Sequence, residues 1–180
     1  MDEIRVCALN SAPVAAGARY ILHWAQWNRR VAHNHALAYA AELANGLGLP
    51  LLYYEALPRD GLRANDRRYT FLLEGIPENA RRVRALGAGY FFDLRRNSGT
   101  LDRLARDAAA VVTDDYPAAI AGSEAYSLAG IAVDASCIVP MNAIPSRQYA
   151  AYALRPKIRK VLDRYLTPLA PVRLARRWSS

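Results

Sequence analysis

Apolar residues in this chain fall into two alternating kinds of run. Short stretches rich in β-branched and aromatic residues predict five strands: YILHWA (20–25), LPLLYYEA (49–56), GYFFDL (89–94), AAVVTD (109–114) and GIAVDA (130–135). Between them lie segments of helical period. VAHNHALAYAAELANGLG (31–48) repeats Leu37, Ala40, Ala41 and Ala44 at three- and four-residue spacing, and Gly46 and Gly48 mark its end. After a loop with Pro58 and Gly61, a second helix begins near Asn65 or Asp66. It carries Phe71, Leu72, Ile76, Ala80 and Val83 as an apolar face to Leu86, with a kink or break expected at Pro77. Residues 101–109 read as a short helix and 118–129 as a weak one. An irregular IVPMNAIPS then leads to a last helical stretch over 148–166.

Strands and helices in strict alternation imply a parallel sheet covered on both faces, because right-handed crossovers leave few other arrangements. The expected architecture is a doubly wound, mostly parallel, five-stranded Rossmann-like α/β sheet of order 3-2-1-4-5, followed by a C-terminal linker helix. Its switch point lies between the C-terminal ends of the first and fourth strands, where open α/β sheets take ligands. WAQWNRR (24–30) and VTDDYP (112–117) converge there. Topology alone therefore nominates Trp24, Gln26, Asn28, Asp114 and Tyr116 as walls of a binding site. The expected division is an α/β domain over 1–147 and a basic linker and helix over 148–180.

Composition narrows the picture. A chain of 180 residues, 53% hydrophobic, is one domain's worth with a substantial core. No apolar run approaches the roughly 18–20 residues of a membrane span, and MDEIRVCALNSAP lacks the apolar centre of a signal peptide. Cys7 and Cys137 make neither a disulfide framework nor a CxxC motif, so a reducing, cytoplasmic setting is expected. The net charge of +8 is concentrated at one end. From Arg155 onward there are eight basic residues against Asp163 alone, which leaves about +1 for everything before. That segment could meet phosphates electrostatically, with salt-dependent and sequence-independent affinity, or stand as a solvated basic helix with a frayed end.

The candidate chemistry is thin. All three histidines, His23, His33 and His35, fall within fifteen residues. Two histidines two apart on a helix point about 200° from each other and cannot share an ion, so solvent-facing or capping roles are expected and no metal site. The turn after the first strand has no GxGxxG, GxxxxGK[ST] or HxGH, and Trp27, Asn28 and Arg29 would block close approach of a phosphate to the backbone. Asp114 and Asp115 suit a general base or the N-cap of the next helix. Asp134 is expected to fix a turn before Ser136 and Cys137. No self-sufficient catalytic constellation is present.

Several local patterns coincide in one family. LNSAPVAAGARYILHWAQWNRRVAHNHALAYA resembles the opening of DNA photolyases, particularly the class II and class II-like bacterial branch. The resemblance is carried by Leu9, Asn10, Pro13, Val14, Tyr20, Ile21, Leu22, Trp24, Arg29, Arg30, Asn34, Ala36 and Leu37. ANDRRYTFLLEGIPEN, VVTDDYP, VDASCIVPM and YAAYALRPKIRKVLDRYL follow in family order, so the match runs over roughly residues 5–166. The resemblance implies an N-terminal α/β domain able to host an antenna chromophore such as a deazaflavin, flavin or folate. In that family the helical domain that follows holds FAD, binds damaged DNA and performs the light-driven chemistry. This sequence stops where that domain should begin, so no catalytic residue carries over and repair by this chain alone is not expected.

Three functions follow. The first is the antenna-type domain of a photolyase-like protein. The second is a module docking a separately encoded FAD domain through Ile158, Val161, Leu162, Tyr165 and Leu166, a stripe that either needs such a surface or folds back on its own sheet. The third is a nucleotide-binding protein of the universal stress type, against which the missing glycine-rich turns count.

Overall fold

A computed structural model describes residues 2–57, 65–94, 99–116 and 129–179. The expected weak helix over 118–129 and the loop with Pro58 and Gly61 lie outside the described residues, apart from Ala129. Six strands form one sheet: β1 (Val6–Ala8), β2 (Tyr20–Ala25), β3 (Leu51–Ala56), β4 (Gly89–Asp93), β5 (Ala108–Asp115) and β6 (Ala129–Asp134). Their order is β1-β6-β5-β2-β3-β4. The five strands from β2 to β6 are parallel and stand in the expected 3-2-1-4-5 order. The strand count was one short, because β1 pairs antiparallel on the β6 edge, Val6 opposite Val133 and Ala8 opposite Ile131. Three residues are too few to show an alternation, and short strands are what sheet edges favour.

Helices α1 (His35–Leu47), α2 (Asp66–Ala85), α3 (Thr100–Arg106) and α4 (Ala151–Tyr165) complete the described fold. Side chains alternate across β2 and divide the core in two. Ile21 and Ala25 join Leu51, Tyr53 and Val112 beneath Ala36, Leu37, Ala40 and Ala44 of α1 and Val83 of α2. Tyr20 and Leu22 face the other way, with Leu52, Tyr54 and Val111 under Ala105 of α3. Alanines on α1 let its backbone sit close to the central strands. The helix starts four residues later than expected, because Asn34 caps it, its side chain accepting from the Leu37 N–H at 3.1 Å. It stops at Gly48, whose positive φ of 64° serves a left-handed C-cap.

α2 departs from its reading in two ways. It runs unbroken through Pro77, and of its expected apolar face only Ala80 and Val83 are buried, with Phe71 75% exposed. Length explains the second point. Twenty helical residues span about 30 Å, whereas β3 and β4 span roughly 17–20 Å. The N-terminal half therefore overhangs the C-terminal edge of the sheet. Among the described residues no helix is long and apolar enough to cross a membrane.

Residues 172–178 are not a frayed end. They strap the domain from the C-terminus of α1 to the N-terminal edge of the sheet. Asn45 donates to the Arg173 carbonyl and accepts from the Ala175 N–H, both at 2.8 Å. Arg176 reaches the Gly48 carbonyl at 3.1 Å, and the Trp178 N–H donates to Gly87 at 2.8 Å. Val172 and Leu174 pack on the α1-side core, and the Trp178 ring lies 5.4 Å from that of Tyr20. Gly89 makes room for it: a Cβ there would stand 2.5 Å from the indole. Gly89→Ala should therefore cost about 1–3 kcal/mol by overpacking, read as a shifted urea midpoint. In a Trp178→Ala background the same change should be nearly neutral, and equal costs in both backgrounds would show that the indole does not occupy this position.

Candidate functional site

β2 ends at Ala25, and the chain must turn at the C-terminal edge of the sheet before Asn34 starts α1. No glycine assists this turn, so side chains from three neighbouring elements and a backbone carbonyl beyond β6 hold it. Asp114, at the end of β5 and 2% exposed, accepts from three successive backbone amides: Gln26 at 3.0 Å through Oδ1, and Trp27 at 2.8 Å and Asn28 at 3.1 Å through Oδ2. The Asn28 side chain, also buried, donates to the Ala135 carbonyl beyond β6 at 2.6 Å. Asn34 ties the turn to itself, donating to the carbonyls of Asn28 at 3.1 Å and Arg30 at 2.9 Å. From the other side, Tyr53 of β3 and Asn79 of α2 both donate to the Arg29 carbonyl, at 2.8 and 2.9 Å.

Beneath Arg29 lies a buried ionic cluster that sequence reasoning missed. Its guanidinium donates to the Ala56 carbonyl at 2.5 Å and stands 3.7 Å from the Glu55 carboxylate, which is almost wholly buried. Tyr90 of β4 donates its hydroxyl to Glu55. Burial pushes Glu55 upward, opposed by the Tyr90 hydrogen bond and by Arg29. Burial likewise raises Asp114, opposed by the three amides. The available signal was Glu55 itself, a lone acid inside the apolar run LLYYEA. A buried charge in such a strand must find a partner.

The nominated residues thus divide by role. Asn28 and Asp114 are buried parts of the turn. Asp114 caps the turn after β2, and the start of the segment after β5, where an N-cap was also expected, lies outside the described residues. Gln26 is half buried and donates to the Thr113 hydroxyl at 3.0 Å, and Thr113 in turn donates to the Trp24 carbonyl at 2.9 Å. Trp24 packs half buried against the α3-side core. Tyr116 is 37% exposed and stacks on Trp27, itself 46% exposed, with ring centroids 5.0 Å apart and planes inclined by 16°. Trp27, left out of the nominated set, meets solvent at the switch point together with Tyr116. Behind the turn an open cavity of about 330 Å³ is lined by Arg30, His33, His35, Cys137 and Tyr165. Arg30 is held there by the His33 and Ala135 carbonyls at 3.0 Å.

The histidines follow their reading in part. His33 faces solvent as expected but precedes α1, with a positive φ of 50°, and Asn34 rather than a histidine caps the helix. His23 neither faces solvent nor caps. It is fully buried, its ring 5.1 Å from that of Tyr53, and among the described residues neither ring nitrogen has a hydrogen-bond partner of normal geometry. Asp134 fixes its turn as expected, accepting from Ser136, Cys137 and Met141. Among the described residues no group of three or more His, Cys, Asp or Glu side chains could hold a metal.

Burial drives the His23 pKa down to about 4, from 6.5 when solvated, partly opposed by the Val112 backbone. Its neutral form therefore contributes stability that is fully present above about pH 6.5 and is lost as pH falls toward 4, in total about 3 kcal/mol. Urea denaturation at several pH values should show this decline in the parent chain and not in His23→Leu. Parallel stability curves for the two would contradict it.

The family profile described as DNA photolyase matches residues 21–173. A deoxyribodipyrimidine photo-lyase of Methanothermobacter thermautotrophicus is 33% identical over 172 residues, covering 92% of this chain and 39% of that protein. One from Arabidopsis thaliana is 29% identical over 157 residues, covering 81% of this chain and 32% of that protein. The chain thus spans well under half the length of these relatives. Among solved structures, a universal stress protein from Archaeoglobus fulgidus is similar at a TM-score of 0.43 and 20% identity, covering 64% of this chain and 98% of that one. The family match begins within β2, includes both segments that build the turn, and continues into the strap along α1: the chain belongs to the DNA photolyase family and corresponds to its N-terminal α/β domain.

Proposed function

We propose that this chain is the antenna-type N-terminal domain of a class II-like deoxyribodipyrimidine photolyase, acting in light-driven repair of DNA together with an FAD-binding helical domain. The observation that carries the antenna reading is the Trp27–Tyr116 stack. Two stacked, nearly parallel and partly exposed aromatic rings at the switch point offer a flat π face to a flat ligand. The surrounding residues suit that task. Asp114 and the Arg29 cluster hold the backbone under Trp27, so the platform is ordered before any ligand arrives. Gln26 and Trp24 stand beside it, on the Thr113 side. A bound deazaflavin, flavin or folate would absorb light and pass its excitation to the FAD of the second domain. The residues of this chain would stack it and fix its orientation. No general acid, base or nucleophile is required of them, which agrees with their being spent on backbone contacts.

A second reading, docking of the FAD domain through α4, is favoured by one observation. The helix has no buried residue, and its stripe of Ile158, Val161, Leu162 and Tyr165 is only half covered, with Leu166 exposed.

The antenna reading is tested by adding each chromophore class to the purified chain, removing free ligand and recording absorbance and tryptophan fluorescence. One class should be retained with quenching, and Trp27→Ala should weaken retention at least tenfold, the loss of about 1.4 kcal/mol of stacking. No retained absorbance with any class, or retention that Trp27→Ala leaves unchanged, would remove the platform from the account.

A further inference from the structure

α4 carries further surface on the two flanks of its apolar stripe. Arg155, Lys157, Arg159, Lys160 and Arg164 are all exposed, with Asp163 the helix's one acid. Among the described residues Arg164 alone of these has an acidic partner, Asp2 at 3.6 Å. At 100° per residue, Tyr152, Arg155 and Arg159 fall on one flank of the helix, and Lys157, Lys160 and Arg164 on the other. Tyr152 is 81% exposed and Tyr149, just before the helix, 89% exposed. The Arg147 guanidinium lies over the Tyr149 ring at 5.6 Å. Two exposed rings thus stand at the N-terminal end of a helix of about 22 Å that carries the cations.

We infer that this ridge binds single-stranded nucleic acid, the cations meeting phosphates and Tyr149 and Tyr152 stacking on bases. Charge selects a polyanion, and the tyrosines select among polyanions. A duplex keeps its base faces inside, whereas a single strand offers them to exposed rings. An anionic membrane surface fits less well, because interfacial helices bury their apolar face in lipid. Here that face is half covered by the protein, with Arg5 lying 5.7 Å from the Tyr165 ring. The inference does not depend on a chromophore, since the ridge shares no residue with the Trp27–Tyr116 platform.

The test is fluorescence anisotropy with a labelled oligothymidylate of about 12 nucleotides, within the usual range for one site, and a duplex of equal length, over a salt series. The single strand should bind more tightly than the duplex, and log K should fall linearly with log salt. Arg155→Gln with Arg159→Gln should flatten the slope by about 1.4, or about 0.7 per phosphate lost. Tyr149→Ala with Tyr152→Ala should weaken the single strand about tenfold and leave the slope and duplex binding unchanged. The same charge change on α3, Arg103→Gln with Arg106→Gln, should have little effect, and circular dichroism confirms that each variant is folded. Three outcomes would each overturn the proposal: no binding at low salt, equal loss from the α3 pair, or binding to phosphatidylserine vesicles without binding to the oligonucleotide.

Discussion

One buried carboxylate organises the candidate site. Asp114 gives both oxygens to three consecutive amides of the turn after β2, and it does so from β5, the strand beside β2 at the switch point. Burying a carboxylate is costly in itself, and hydrogen bonds from several N–H groups are what make its charged form tolerable. The opposed influences on Asp114 express this balance: burial raises its pKa and the amides lower it. In a turn without glycine, the carboxylate supplies the order that a nucleotide-binding loop would draw from its phosphate. The price is that Asp114 is no longer free to act on a ligand.

The other contacts extend the same logic. Arg29 is fixed through its carbonyl by Tyr53 and Asn79, and through its guanidinium by Ala56 and Glu55. Asn28 and Arg30 reach the Ala135 carbonyl past β6. Elements β3, β5, α2 and the β6 exit thus meet on one five-residue segment. A buried ion pair such as Arg29–Glu55 adds little net stability, but it penalises any arrangement that separates the partners. Its contribution here is to fix where the turn, and with it Trp27, can stand. At the opposite edge of the sheet the Trp178 strap closes the core, so ligand-facing order and domain closure are handled at separate ends.

Most of the fold was legible because the parallel strands are continuous β-branched and aromatic runs, and the crossover rule converts alternation into a strand order. What was not legible has particular causes. β1 is too short to show a period. The overhang of α2 depends on the mismatch between helix and strand lengths, so the apolar spacing of Phe71 and Leu72 did not signal burial. The strap reads as a basic, proline-punctuated tail because its anchors, Val172, Leu174 and Trp178, are separated by arginines. The location of the site followed from topology, but the division of labour within it did not. Asp114 and Asn28 look like ligand groups in sequence, and only the distances show that their polar atoms are already engaged by backbone. His23 misled for the converse reason, since nothing in YILHWA distinguishes a solvent-facing histidine from one sealed against Tyr53.

Hydrogen exchange at the Gln26, Trp27 and Asn28 amides tests the central claim most directly, because it reads the three bonds individually. The account predicts protection comparable to the β2 core amides in the parent chain. In Asp114→Ala, which removes both acceptor oxygens, protection should be lost at the three positions while Ile21 and Leu22 stay slow. Exchange of all three at loop rates in the parent chain would contradict it, since the turn would then not be held by the carboxylate.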